Sequence, residues 1–136
     1  MNSCSLILLL WLSAFSGNTL YTAEGRASYY SDRLHGQRTA NGERYDKNEL
    51  TAAHATLPFD TRVQVTNTRN GKTVVVRIND RMARSRHRLI DLSKAAALKL
   101  DIVRSGYGPV RLAEVKSIEA EQQEPALPVS EADHKN

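Results

Sequence analysis

Val74-Val75-Val76-Arg77-Ile78-Asn79-Asp80-Arg81 is a β-rich run that ends in a carboxylate. In an extended chain successive side chains point to opposite faces. Val74, Val76, Ile78 and Asp80 then share one face, and Arg77, Asn79 and Arg81 share the other. Asp80 therefore closes an apolar row. Burial disfavours the charged form of an acid, so such a place tends to raise its pKa. A carboxyl that is neutral near pH 7 is what a proton donor in glycoside cleavage must be. From spacing alone, a solvated strand end or a turn residue capping backbone amides is the commoner outcome.

Working back from this strand, Arg62-Val63-Gln64-Val65-Thr66-Asn67-Thr68 alternates polar and apolar residues in its first half, and Arg69-Asn70-Gly71-Lys72 joins the two runs. Asn-Gly is the preferred two-residue hairpin loop, because both positions need positive φ. That loop predicts Thr68 facing Thr73, Val65 facing Val76 and Val63 facing Ile78. Carried further, it sets Thr61 opposite Asp80, with the Thr61 hydroxyl or its backbone near the carboxyl.

The remaining pattern is of short elements. Gly25 to Tyr30 reads as a first strand, and Glu49 to His54 as a weakly marked second. Between them, residues 31–48 form a long loop, a kind of segment that is often functional. Its Asn41-Gly42 turn presents Glu43 on the far side. Leu89-Ile90-Asp91-Leu92 is a brief apolar piece, and Ser93 can cap a short helix over Lys94 to Leu100. Leu92, Ala96 and Leu100 recur at helical spacing, which directs this helix onto a sheet or barrel wall. Gly106 to Pro109 is a turn, and Val110 to Val115 a closing strand. Short strands with one or two short helices, in about ninety residues, indicate a small barrel or sandwich.

The 136 residues suit one small domain, taken here as 24–116. Residues 1–16 read as a secretory signal: Leu6 to Phe15 is apolar but too short to span a bilayer comfortably, and Ala14-Phe15-Ser16 offers small residues for cleavage. No Lys or Arg precedes that run. Cys4, the only cysteine, lies before it and away from the cleavage position, so a lipid anchor is not expected. The expected location is periplasmic or secreted. The net charge of +4 is uneven: residues 25–116 carry 18 Lys and Arg against 9 Asp and Glu, whereas 117–136 carry 5 acids and one Lys. The domain is thus basic, suited to an anionic partner. The tail, rich in Glu, Gln, Pro and Ala, is expected to be disordered.

Several chemistries lack the residues they need. His35, His54, His87 and His134 show no ligand spacing, so no metal and no cofactor is expected. There is no Gly-x-Ser-x-Gly, no thiol beyond Cys4 and no phosphate-binding glycine loop. Only charge favours nucleic acid, since no aromatics interleave with the arginines of 81–88. Two carboxylates remain, Glu43 and Asp80, and a glycoside site needs an acid and, if water attacks, a base. The plain alternatives are a Glu43 paired with Arg38 or Arg44, a hydrogen-bonded His54 at a strand end, and an Asp91 that caps the helix start.

Several motifs together carry a resemblance. They are Gly25-Arg26-Ala27-Ser28-Tyr29-Tyr30, His35-Gly36, Thr39-Ala40-Asn41-Gly42-Glu43-Arg44-Tyr45-Asp46, Leu50-Thr51-Ala52-Ala53-His54 and Leu57-Pro58. Val63-Gln64-Val65-Thr66-Asn67, the acid strand and Ile90-Asp91-Leu92-Ser93 follow in order. From Gly25 to Val115 the chain resembles the rare lipoprotein A (RlpA) family. The resemblance implies a six-stranded double-psi β-barrel, as in expansins and barwin-like proteins. It also implies lytic transglycosylase activity on the bond between N-acetylmuramic acid and N-acetylglucosamine in peptidoglycan, with a preference for strands stripped of stem peptides. The family's functional positions fall on Glu43, His54 and Asp80. Met82-Ala83 replaces the family's common Gly-Pro, and Tyr29 stands where Trp is common.

On this reading Asp80 protonates the glycosidic oxygen and then takes the proton of the muramyl C6 hydroxyl. Glu43 stabilises the transition state, and His54 hydrogen-bonds a carboxylate or the substrate. Tyr29 and Tyr30 stack on sugars, while Arg77 and Arg81 steer the lactyl carboxylate. The expected partner is the peptidoglycan glycan strand, met by a monomer with no membrane span once the signal is removed. The alternative is a non-catalytic glycan-binding or wall-loosening module of expansin type. A third possibility, an inverting hydrolase with Glu43 as base, needs its carboxyls roughly 6.5–9.5 Å apart.

Overall fold

The structure is a computed structural model and describes residues 20–116; the signal and the acidic tail read from the sequence lie outside the described residues. Six strands are present: β1 (Thr22–Tyr29), β2 (Thr51–His54), β3 (Arg62–Asn67), β4 (Thr73–Asp80), β5 (Ile90–Leu92) and β6 (Gly108–Val115). One helix, α1 (Lys94–Leu100), lies between the last two, and a 3-10 turn covers Asp32–Leu34. The strands close into a barrel in the order β1-β5-β2-β4-β3-β6. Two of the pairings, β1 with β5 and β2 with β4, are parallel. This is the closed six-stranded barrel expected from the motifs. Closure matters physically because it leaves no unpaired strand edge.

The barrel is filled from alternating positions. Val63 and Val65 of β3, Val76 and Ile78 of β4, and Val110 and Leu112 of β6 are all at most 1% exposed. Each such side chain contributes about 1.5–3 kcal/mol by leaving water. Ser93 caps α1 as expected, its Oγ accepting from Ala96 N at 3.3 Å, and Ala96, Ala97 and Leu100 face the core. The helix ends at Asp101, whose left-handed φ of 60° lets its N–H bond back to the last turn.

The β3–β4 register differs from the expectation. Val65 pairs with Val74 and Val63 with Val76, two residues away from the predicted partners. The loop holds four residues rather than two. Asn67 N donates to Lys72 O at 2.8 Å and Gly71 N to Asn67 O at 2.8 Å, and Gly71 is the loop residue with positive φ, at 78°. The buried Asn67 side chain explains the choice, since its Oδ1 accepts from Arg69 N and its Nδ2 donates to Leu100 O. That Asx-type turn ties the hairpin to the end of α1, which a two-residue loop would not do. A slip of two preserves which side chains face inward. It does move Thr61, whose carbonyl now accepts from Ile78 N at 2.9 Å, so the expected Thr61–Asp80 pairing is absent.

Asp80 instead pairs with Ala53 of β2. The register there steps from Ala52–Ile78 to Ala53–Asp80, leaving Asn79 as an extra residue on β4. Bulges of this kind re-aim side chains at a strand end. Here Asn79 is only 2% exposed beside a fully buried Ile78, and alternation breaks just before the carboxylate.

Candidate active site

Past the bulge, the Asp80 side chain is half-buried and faces the 31–48 loop. Its Oδ1 accepts from Ala40 N at 2.8 Å and from Arg81 N at 2.9 Å. Its Oδ2 accepts from the Tyr30 hydroxyl at 2.6 Å. The carboxylate lines an open cavity of about 410 Å³ together with Tyr29, Tyr30, Tyr45, Arg81, Arg88 and Asp91. Tyr30 is held by its neighbour Tyr45, their ring centroids 4.5 Å apart. Burial, then the hydrogen bond to Asp80, pushes the Tyr30 phenol far above its ordinary 10.0, so it is a fixed donor. The Tyr29 hydroxyl turns away to Val103 O at 2.9 Å, leaving its ring on the cavity wall.

Glu43 sits differently. The Asn41-Gly42 turn delivers it as expected, with Gly42 at φ 92° and Asn41 Oδ1 accepting from Glu43 N at 3.0 Å. Its carboxylate is gripped from both sides by Arg77, Nη1 to Oε1 at 2.7 Å and Nη2 to Oε2 at 2.9 Å, with Asn79 Nδ2 at 3.3 Å. Arg77 holds its pKa down at about 2, so Glu43 is ionised throughout the neutral range. It is not among the residues lining the Asp80 cavity. In this structure the Arg77 guanidinium is engaged by Glu43 and, at 3.2 Å, by Asp60. Arg81 likewise lies 4.1 Å over the Phe59 ring, with Nη1 3.4 Å from His54 O.

His54 is buried, and both ring nitrogens are engaged. Nδ1 accepts from Thr56 N at 3.1 Å and Leu57 N at 3.0 Å, while Nε2 meets the Tyr21 hydroxyl at 3.2 Å. These partners assign the neutral tautomer with hydrogen on Nε2, and burial first, then Arg81, lowers its pKa. The expected bond from His54 to a carboxylate is not formed. The ring closes the turn after β2 and lines a neighbouring cavity.

Asp91 is the residue the sequence reading placed wrongly. Ser93, not Asp91, caps α1. Asp91 accepts from the Ser28 hydroxyl, pairs with Arg88 at 3.4 Å and lines the Asp80 cavity with only 14% of its side chain exposed. Its place on the three-residue β5, opposite Ala53 and beside Ser28, puts it there. The signal was its position inside an apolar strand, the same signal that picked out Asp80. Among the described residues no cluster of three or more His, Cys, Asp or Glu is arranged to hold a metal, and no helix is long and apolar enough to cross a membrane.

A closed six-stranded barrel with a tyrosine-held aspartate in an open cavity defines the class. The protein belongs to the lytic transglycolase family, whose profile matches residues 22–112. Within it, the chain is similar to proteins named endolytic peptidoglycan transglycosylase RlpA. It is 52% identical over 95 residues to the one from Neisseria meningitidis (70% of this chain, 40% of that protein). It is 53% identical over 91 residues to the one from Campylobacter jejuni (67% and 33%). A probable RlpA from Synechocystis is 60% identical over 88 residues (65% and 27%). The chain thus spans about 40% or less of the length of these relatives. Among solved structures, the Streptomyces papain inhibitor aligns with a TM-score of 0.57 at 26% identity, covering 71% of this chain and 96% of that one. The expansin of Clavibacter michiganensis aligns at 0.59 and 22%, covering 71% and 52%, a likeness of fold.

Proposed function

We propose that this domain is a lytic transglycosylase acting outside the cytoplasm. It cleaves the β-1,4 bond between N-acetylmuramic acid and N-acetylglucosamine, on strands without stem peptides, and leaves 1,6-anhydro-muramyl ends. The observation that carries the reading is Asp80, held by three donors at the wall of an open, tyrosine-lined cavity. The names of the relatives agree with it.

Two backbone N–H groups occupy Oδ1, so Oδ2 is the oxygen that exchanges a proton. In its acid form Asp80 gives that proton to the glycosidic oxygen as the C1–O bond breaks. The resulting carboxylate, steadied by Tyr30, then takes the proton of the muramyl C6 hydroxyl as that oxygen closes on C1. No water enters the product. Glu43, ionised and paired with Arg77, anchors the 38–44 loop against β4. Gripped by Arg77 and outside the cavity lining, it is poorly placed to activate water, which favours the lyase over an inverting hydrolase. The rings of Tyr29 and Tyr30 offer stacking faces for sugars. His54 supports the site through the turn after β2.

Incubation with stem-peptide-free peptidoglycan, followed by mass analysis, tests this. Anhydro-muramyl glycans are expected, and Asp80→Asn abolishes them. Reducing ends would mean hydrolysis. Sacculus binding without any release would mean an expansin-like binding module.

A further inference from the structure

A second cavity, larger than the one that holds Asp80, lies beside it. It measures about 500 Å³ and is lined by Tyr21, His54, Ala55, Thr56, Leu89 and the loop residues Arg84, Ser85, Arg86 and Arg88. No carboxylate lines it. Arg84 and Arg86 are exposed and have no acidic partner among the described residues, whereas Arg88 is tethered to Asp91. Arg88 lines both cavities, so the two adjoin. The basic loop runs from Met82 to Arg88.

Two guanidinium groups without an acidic partner, Arg84 and Arg86, at a cavity that no carboxylate lines select an anion. Ala55, Leu89 and the Tyr21 ring, packed edge-on to His54 at 5.4 Å, supply apolar wall beside the charge. That combination suits a carboxylate carried on a short carbon branch of a sugar better than a bare phosphate. Arg77 and Arg81 do not compete for this role, since Glu43 and Phe59 occupy them.

We propose that this cavity is a subsite for the carboxylate-bearing sugar next to the cleaved bond, read by Arg84 and Arg86 with Arg88 as the hinge between the two cavities. The inference rests on the glycan-cleaving reading and adds the element that distinguishes acidic from neutral strands. It makes the preference for an acidic glycan electrostatic, and therefore sensitive to salt.

The test compares two tetrasaccharides by calorimetry on the full chain carrying Asp80→Asn, which prevents turnover. One alternates N-acetylglucosamine with N-acetylmuramic acid, and the other is N-acetylglucosamine throughout. The acidic glycan is expected to bind about three- to tenfold more tightly at low salt, and the gap closes in 0.5 M NaCl (a concentration of about three times the physiological). Adding Arg84→Glu and Arg86→Glu, both at exposed positions, reverses the preference without changing the circular dichroism spectrum. Equal affinity for the two glycans, or a preference that survives the charge reversal, overturns the subsite and leaves the glycan reading standing. Binding of neither glycan overturns the glycan reading and the subsite with it.

Discussion

The Tyr30 hydroxyl donates to Oδ2 of Asp80 over 2.6 Å, joining two residues fifty positions apart across the open mouth of the barrel. The phenol comes from the residue following β1 and the carboxylate from the last residue of β4. Because burial keeps the phenol protonated, it serves Asp80 only as a donor. Tyr30→Phe removes that donor and keeps the ring packed on Tyr45. It should lower kcat about ten- to a hundredfold, shift the pH–rate profile, and leave KM nearly unchanged. Unchanged kcat and KM in this variant would give Tyr30 a purely stacking role.

Asp91 shares the cavity with Asp80 and holds Arg88 in place. Asp91→Asn should fold normally, because the amide oxygen still accepts from Ser28, yet it weakens the pull on Arg88. Glycan release is expected to fall about tenfold or more, measured beside Asp80→Asn as the inactive reference. Full activity in Asp91→Asn would restrict this residue to the fold.

The Glu43–Arg77 pair makes a pH prediction. Arg77 lowers the Glu43 pKa from 4.5 in the unfolded chain to about 2 in the folded one. The stability this contributes is complete above about 4.5 and is lost as pH falls toward 2. Both side chains are partly exposed, so the loss is modest, about 0.2–1 kcal/mol. Urea unfolding of wild type and Glu43→Gln should differ by that amount at pH 6 (a setting about two units above the carboxylate range) and converge as the solution is acidified.

His54 predicts a slope at higher pH. Its folded pKa lies below the unfolded 6.5, so below 6.5 the unfolded chain binds the extra proton and stability falls until the folded ring also titrates. His54→Asn places an amide oxygen where Nδ1 accepts from Thr56 and Leu57. That variant should fold and lose the slope, whereas His54→Leu leaves two backbone donors unpaired and costs about 1–3 kcal/mol or more. Denaturation curves across this pH range decide it.

Gly25 packs directly under the loop that precedes β5. A Cβ there would meet Leu89 Cβ at 2.9 Å. Gly25→Ala should therefore destabilise the domain by about 1–3 kcal/mol, and a Leu89→Gly second change, which removes the Cβ that it meets, should cost less in the Gly25→Ala background than alone. Additive effects in the double variant would show that the two positions do not press on one another.

The β-branched run at 74–78, the cap at Ser93 and the turn at Asn41-Gly42 were legible in the sequence because each is a local preference. Strand, helix and turn formed where those residues stand, and two carboxylates stood out as candidates for the chemistry. Sequence alone also shows the basic domain and the arginine loop at 81–88. The tertiary structure decided what these groups do. Asn67 reached the far end of α1 and lengthened the hairpin loop, which moved Thr61 away from Asp80. The bulge at Asn79 re-aimed Asp80 toward Tyr30, and Arg77 was claimed by Glu43 rather than left for a ligand. Periodicity fixes which face a side chain takes, but the partner it meets there comes from a strand or loop tens of residues away. Barrel closure alone chooses that partner.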